Sequence, residues 1–206
     1  MPASNDLLPL TPDMFTKASN TVASAFAGDP SLDYAFSRPE KKANLPHIIR
    51  YYLKLDYLGG ASTFVTSPEC EGVATWYRSP IKSSWWMKLR AGWFRLPFYG
   101  GLHYINYSRR EDRFFESLKA KHAPDRYIYL ALLAVAPQHQ GKGYARRLLS
   151  HLQTMLDEHG LPGYLETQNL RNVNMYRKYG FALRESTHFP AGSPCEVYVM
   201  LRRASS

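Results

Sequence analysis

The segment that decides the fold is YIYLALLAVAPQHQGKGYARRLLSHLQTMLDEHG, residues 127–160. Its first nine residues are almost all apolar, which is typical of a strand buried on both faces of a sheet. Pro137 ends this run, and from about Gly143 to Glu158 the leucines recur at the spacing of one helix face. The segment therefore predicts a buried strand, a glycine-containing loop and an amphipathic helix, in that order.

The loop between this strand and this helix, residues 136–143, has the features of an anion site. Glycines let the backbone turn tightly, and the free N–H groups at a helix start favour negative charge. Lys142, Arg146 and Arg147 lie close enough in sequence to add charged contacts. The loop lacks the pattern of a Walker loop and the third glycine of a dinucleotide fingerprint. A pyrophosphate site and an ordinary turn are both compatible with the spacing alone.

The residues downstream of this segment continue an alternation of strands and helices. A short strand is predicted at Gly163–Thr167, and a helix from about Leu170 to Tyr179 that Gly180 closes. Two final strands, over 181–188 and 195–202, are predicted to pair with each other.

The residues upstream are predicted to form two helices and a hairpin. The helices cover about 11–27 and 40–57, with a loop at 31–39, and the β-hairpin joins strands near 62–66 and 72–77. Between 79 and 122 only a helix near 111–121 is indicated. The tryptophans of this stretch are interpreted either as core packing, favoured for at least one of them, or as a lid over a ligand; they are Trp85, Trp86 and Trp93.

Composition and charge limit the classes of protein that fit. The chain has 206 residues, which suits a single domain over 1–206, and no run of about 18 or more apolar residues predicts a membrane span. Its net charge is +9, but the basic residues are scattered, which argues against nucleic acid as a partner. Cys70 and Cys195 lie too far apart to form a metal motif, so no metal site is predicted. A cytoplasmic protein that is a monomer or a homodimer is expected.

Two motifs resemble those of a known family. Gln138, Gly141 and Gly143 match the Q/R-x-x-G-x-G/A motif by which acyltransferases of the GNAT superfamily bind acetyl-CoA. The segments 135–143, 164–167 and 171–181 are similar to those of puromycin N-acetyltransferase and its relatives. The resemblance covers about 55 residues and implies the GNAT fold, which is an α/β fold. That fold has a mixed, mostly antiparallel sheet of six or seven strands, flanked by helices, with a splayed central strand pair.

The resemblance also implies a site for acetyl-CoA as co-substrate. Main-chain groups at the end of the buried strand would pair with the pantetheine arm, and the amides of the loop would hold the pyrophosphate. An asparagine before the last helix would bond the arm, although it is also placed to cap that helix. The implied cofactor-binding residues are Leu133, Ala134, Val135, Gln138, Gln140, Gly141, Lys142, Gly143, Tyr144, Ala145, Asn169 and Asn174.

One catalytic role follows from the same resemblance, and a second from the need of the attacking amine to lose a proton. Tyr176 is the expected donor of a proton to the departing thiolate, and Glu166 is the first candidate for the group that takes the proton of the amine. His188 and Glu196 are weaker candidates for that second role. The structural alternatives are that Tyr176 is a core aromatic and that Glu166 is a strand carboxylate paired with an arginine.

The function implied is transfer of an acetyl group from acetyl-CoA to the amine of a small molecule by direct attack, without an acyl-enzyme. One alternative is a protein or peptide N-acetyltransferase. The other is a module that binds CoA or nucleic acid without catalysis; in the nucleic-acid case, affinity would fall steeply with salt. We expect no membrane partner.

Overall fold

A computed structural model of the chain describes residues 7–79 and 84–204. Within them, seven strands form one sheet in the order β1-β2-β3-β4-β5-β7-β6. All neighbouring strands are antiparallel except β4 and β5, which are parallel, and this confirms the predicted fold class. The strands are β1 (Leu8–Pro9), β2 (Ser62–Val65), β3 (Gly72–Arg78), β4 (Ile128–Val135), β5 (Gly163–Thr167), β6 (Ala182–His188) and β7 (Glu196–Arg202).

Helices cover both faces of this sheet. The helix that follows the glycine-containing loop is where the sequence predicts it, and so is the helix after β5. The helices are α1 (Phe15–Phe26), α2 (Ser31–Ala35), α3 (Leu45–Leu58), α4 (Trp85–Ala91), α5 (Leu96–His122), α6 (Tyr144–His159) and α7 (Leu170–Arg177).

Two of these helices differ from the sequence prediction. The loop expected at 31–39 contains α2, whose first turn is held because the Asp29 carboxylate accepts a hydrogen bond from the Ser31 N–H at 2.8 Å. Helix α5 is far longer than the predicted 111–121 segment. It bends at Gly101, where φ is 78° and ψ is 175°, and this break interrupts the apolar spacing by which a helix is recognised.

The prediction that at least one tryptophan of the middle segment packs in the core is wrong. The exposed fractions of Trp85, Trp86 and Trp93 are 60%, 64% and 43%, so none of these three side chains lies in the core. Trp76 in β3 is the buried tryptophan of the sheet, at 2% exposed, and its ring stacks on that of Phe64.

Strands β4 and β5 separate soon after they meet. Their ladder consists of the pairs Ile128 with Gly163 and Tyr129 with Tyr164. Beyond these pairs, β4 continues to Val135 without β5 beside it, although both strands are described over their full length. β5 instead stays paired with β7. The result is a V-shaped gap in the middle of the sheet, as the predicted splayed pair requires.

The two sides of the sheet have separate cores. On one side, Leu165 and Met200 are fully buried against leucines of α6. On the other side, Tyr164, Val197 and Val199 are buried among residues of α3 and α5. Because successive side chains of a strand point to opposite faces, Tyr164 and Leu165 belong to different cores. The gap between β4 and β5 therefore opens between two well-packed layers.

Candidate active site

The glycine-containing loop leads into an open helix start. Gly141 and Gly143 have φ values of 75° and 88°, in the left-handed region that favours glycine. The first backbone hydrogen bond of α6 runs from the Arg147 N–H to the Gly143 carbonyl, at 3.1 Å. The N–H groups of Tyr144 and Ala145 therefore have no acceptor within the helix. A Cβ built on either glycine would meet no atom within 4 Å, so the concave side of the loop is open space.

Three hydrogen bonds hold this loop against the sheet. The Gln140 side chain donates to the Val135 carbonyl at 3.2 Å, which fixes the loop to the end of β4. The Ala136 N–H donates to the Glu71 carbonyl at 2.9 Å. The Arg147 guanidinium donates to the Thr66 carbonyl at 3.3 Å. An anion bound by the loop would thus meet amides that are already oriented.

A cleft of about 920 Å³ lies over the loop and fills the gap between β4 and β5. It is bounded by the free edge of β4, the start of α6 and the start of α7. The predicted cofactor-binding residues that line it are Leu133, Ala134, Val135, Gln140, Gly141, Gly143, Tyr144, Ala145 and Asn169.

The remaining predicted cofactor-binding residues do not line the cleft. Gln138 and Lys142 belong to the loop, but their side chains are exposed outside the cleft. Asn174 is exposed on the outer side of α7, where its side-chain oxygen accepts a hydrogen bond from Arg177 at 3.2 Å. Asn172 and Met175 face the cleft instead. The helical period would have favoured Asn172 over Asn174, because residues three apart lie on the same face of a helix and residues five apart do not.

Asn169 caps helix α7 as the structural alternative expected. Its side-chain oxygen accepts a hydrogen bond from the Arg171 N–H at 2.9 Å. It also lines the cleft, together with Arg171 and Arg146. The same asparagine thus fixes the start of α7 and borders the space where an anionic ligand would lie.

Tyr176 lies one residue beyond Met175 and is buried. Its side chain is 5% exposed and belongs to the core between α7 and the sheet, with its ring edge-on to Phe181 at 6.0 Å between centroids. It is not among the residues that line the cleft. Burial raises the pKa of its phenol, so the group keeps its proton at neutral pH.

Glu166 faces the opposite side of the sheet from Leu165 and lies away from the cleft. It is near the hydroxyls of Tyr129 and Tyr164, and one of its carboxylate oxygens is buried without a hydrogen-bond partner. Burial raises the pKa of its carboxyl, while Lys119 and the two tyrosines act in the other direction. Its basic neighbour is thus a lysine of α5 rather than an arginine.

The outer wall of the cleft comes from residues that the sequence did not single out as a group. Asp29 and Pro30 line it from the turn before α2, and Cys195 and Glu196 line it from the start of β7. The Glu196 carboxylate accepts hydrogen bonds from Ser186 and from Tyr198, the latter at 2.5 Å, and these bonds lower its pKa. A carboxylate held in this way is a weak proton acceptor. The other weaker candidate for that role, His188, is exposed and does not line the cleft.

A second cavity, of about 490 Å³, lies on the side of the sheet that faces α3 and α5. It shares Phe26 and Asp29 with the cleft, and β4 contributes Leu132 to it, next to Leu133 in the cleft. Five tyrosines and five carboxylates contribute to its lining beside aliphatic side chains, and we name it the tyrosine–acid cavity. No sequence motif predicts it, because its walls come from six elements that are spread along the chain: α1, α2, α3, α5, β3 and β4.

Two absences within the described residues bear on the site. Within residues 7–79 and 84–204, no group of three or more histidines, cysteines or acidic residues is arranged to hold a metal ion. None of the helices in these ranges is long and apolar enough to cross a membrane. Cys70 and Cys195 are both free and buried.

Comparison with known proteins gives one family and several relatives. The model of the Acetyltransferase (GNAT) family matches residues 74–181, which is more than half of the chain. An uncharacterised N-acetyltransferase of Schizosaccharomyces pombe is 27% identical over 201 residues, which cover 90% of this chain and 78% of that protein.

Solved structures share the fold. One is described as histone acetyltransferase HPA2 and related acetyltransferase from Corynebacterium glutamicum. It has a TM-score of 0.69 and 20% identity, with 97% of this chain and 96% of that chain covered. Arylalkylamine N-acetyltransferase 2 from Aedes aegypti has a TM-score of 0.61 and 13% identity, with 97% and 99% covered. The names of these two proteins indicate acceptors of different kinds.

Proposed function

Because the chain belongs to the GNAT acetyltransferase family, we propose that it transfers an acetyl group from acetyl-CoA to the amine of a small molecule. The observation that carries this proposal is the cleft in the sheet. The unpaired edge of β4 and the open start of α6 border one continuous space there. A closer kinship with puromycin N-acetyltransferase stays a prediction from the motifs.

The residues of the cleft fit the chemical parts of acetyl-CoA. The edge of β4 that has no strand beside it, over Leu133 to Val135, suits the amides of the pantetheine arm, because an extended ligand can add to an unpaired strand edge. The amides at the start of α6 suit the pyrophosphate. Arg146 and Arg171, at the rim of the cleft, suit the remaining phosphate charge. Acetyl-CoA supplies an activated thioester, and the chain supplies orientation and proton transfer.

The reaction requires two proton movements. The bond between the amine nitrogen and the acetyl carbon forms, the bond between that carbon and sulfur breaks, and the amine loses a proton while the thiolate gains one. We assign donation to the thiolate to Tyr176, whose raised pKa keeps the phenol protonated. It adjoins Met175, which lines the cleft.

We assign acceptance of the amine proton to Glu166. It does not reach the cleft directly, but the Tyr129 hydroxyl beside it lines the tyrosine–acid cavity. Tyr129 is therefore the group through which Glu166 would take up the proton. This route makes Glu166 act from the side of the sheet opposite to Tyr176.

A thermal-shift experiment tests the cofactor assignment. Acetyl-CoA should raise the Tm, because a ligand that binds only the folded state stabilises it by about 2.7 kcal/mol at a hundred times its Kd. ADP, which offers a pyrophosphate but no pantetheine arm, is the matched control and should give a smaller shift. An unchanged Tm at saturating acetyl-CoA would rule out the proposed function.

A further inference from the structure

The tyrosine–acid cavity carries an unusual balance of charge. Five carboxyl groups line it, while Lys119 is the one basic side chain among the described residues of its wall. The chain as a whole has a net charge of +9, so the acidic groups are concentrated here against the general trend. The five are Asp29, Asp56, Glu111, Asp112 and Glu116.

Lys119 is already engaged and leaves the deeper carboxyls without a cation. Its ammonium pairs with Glu116 at 3.0 Å and lies over the Tyr129 ring, 4.3 Å from the centroid. Neither Asp56 nor Glu111 has a salt bridge with a basic side chain among the ion pairs of the described residues. Burying carboxylates without a counter-charge is unfavourable, so a cationic ligand would stabilise these two groups.

The surroundings of Glu111 and Asp56 show the cost of this arrangement. Burial, together with Asp112 and Asp29 nearby, raises the pKa of Glu111 to about 7. Burial also raises the pKa of Asp56 to about 6, although the Tyr77 hydroxyl donates a hydrogen bond to it. Both groups become good partners for a cation at neutral pH, because a nearby positive charge restores the ionised form.

A buried tyrosine offers independent evidence of a missing partner. Tyr107 is 6% exposed and lines the cavity, yet its hydroxyl has no partner in hydrogen-bonding geometry. Burial and the nearby Glu111 carboxyl both raise the pKa of this phenol. A buried polar group left unpaired costs about 1–3 kcal/mol, so such groups are usually completed by a ligand or water.

The aromatic walls suit the body of an organic cation. The Phe36 and Tyr104 rings stack at 5.4 Å between centroids, and the Tyr104 hydroxyl donates to that of Tyr52 at 3.2 Å, so these walls are held in place. Aromatic faces attract ammonium groups as well as apolar surface. The volume of about 490 Å³ lies within the usual range for small-molecule sites.

We propose that the tyrosine–acid cavity binds the acceptor, and that the acceptor is a small diamine with an apolar body. One ammonium lies among the carboxyls that line the cavity, and the other amine reaches Asp29, where the cavity meets the cleft. The reacting amine must be neutral when it attacks, so the charge that satisfies the carboxylates has to come from a second amine. This inference rests on the proposed function and names the substrate class of that site.

A matched pair of acceptors tests the proposal. p-Xylylenediamine and p-methylbenzylamine share the same ring and reacting amine, and they differ in the second amine. Release of CoA should give a kcat/KM for the diamine that exceeds that for the monoamine by about 30-fold or more, as expected for a buried charge pair. Equal values for the two amines, or a preference for peptides, would overturn the proposal.

Two variants and one control locate the effect. Glu111→Gln and Asp56→Asn should each lower the preference for the diamine by about tenfold, while acetyl-CoA still raises the Tm. Glu158→Gln removes an exposed carboxylate of α6 outside both cavities and should leave the preference unchanged. A preference that is the same in all three variants would show that the cavity does not select the acceptor.

A binding measurement separates this inference from the proposed function. In the presence of CoA, which cannot react, p-xylylenediamine should raise the Tm of the wild-type chain and of Glu158→Gln but not of Glu111→Gln. If CoA is never released but this pattern holds, the cavity binds diamines and the acetyl transfer is wrong. If CoA is released and this pattern fails, the transfer stands and the diamine site is wrong.

Discussion

Tyr176 and Glu166 have similar environments on opposite sides of the sheet. Both are largely buried, and burial raises the pKa of each. For the phenol this keeps the proton available for donation at any neutral pH. For the carboxyl it means that a proton can be accepted only once the pH exceeds the raised pKa. The same physical cause makes the phenol a weaker acid than a free tyrosine, and it restricts the pH range in which the carboxylate can take a proton.

These assignments predict different pH–rate profiles for two variants. Tyr176→Phe should lower kcat by about 100-fold at every pH, without changing the Kd of acetyl-CoA, because the ring packing against Phe181 is kept. Glu166→Gln should remove the rise of kcat/KM with pH, since the wild-type carboxylate acts only when ionised. Steady-state rates from pH 5 to pH 9 check both expectations. A parallel loss at all pH values in Glu166→Gln would assign that residue a structural role.

Helix α6 has a positive-φ glycine at each end, and substituting each in turn distinguishes an effect on stability from an effect on cofactor binding. Gly143 precedes the first turn with φ 88°, and Gly160 follows the last turn with φ 57°. A Cβ on either would meet no atom within 4 Å, so both would be strained by backbone conformation alone. One end borders the cleft, and the other does not.

We expect Gly143→Ala and Gly160→Ala to lower the free energy of unfolding by a similar amount, about 1–2 kcal/mol. Only Gly143→Ala should also weaken the binding of acetyl-CoA, by about tenfold, because it disturbs the amides at the start of the helix. Chemical denaturation and calorimetry measure the two effects. Equal acetyl-CoA affinities for the two variants would mean that the loop does not hold the cofactor.

Sequence patterns predicted the elements that follow one another closely along the chain. The strand, loop, helix and strand of 127–167 were readable because an apolar run or a helical apolar period is bounded in each case by a glycine or a proline. Helix α5 was not, since the bend at Gly101 breaks its period. Asn174 was placed in the site in place of Asn172, because a motif gives order along the chain and not the direction in which a helical side chain points.

The tyrosine–acid cavity was beyond the reach of sequence reasoning. Asp29, Asp56 and Glu111 are far apart in the chain, and each is ordinary in its local context. Their significance comes from tertiary packing, which brings α3 and α5 over the same face of the sheet. The net charge of +9 gives no sign of a cavity lined mainly by acidic rather than basic side chains.

At the scale of the whole molecule, this cavity should make stability depend on pH. The folded-state pKa values of Asp56 and Glu111, about 6 and about 7, exceed the ordinary values of 3.8 and 4.5. The folded chain therefore holds more protons than the unfolded chain in this range. The free energy of unfolding should fall as pH rises from about 4 to about 7, and these two groups add no further pH dependence above that range.

Urea unfolding across this pH range checks the prediction. The double variant Asp56→Asn, Glu111→Gln should show a flatter dependence and should be more stable than the wild-type chain at pH 8, by an amount on the order of 1 kcal/mol per group. Glu158→Gln provides the control. A double variant that follows the wild-type curve would show that these carboxyls ionise freely in the folded protein.

Strand β4 lies between two spaces that touch at Phe26 and Asp29. The exposed residues Gln140 and Gly141 line one of them, and the exposed Asp112 lines the other. A molecule bound in one cavity therefore does not block access to the other. Acetyl-CoA and the amine should therefore bind in either order, and CoA should be able to leave before the acetylated product is released.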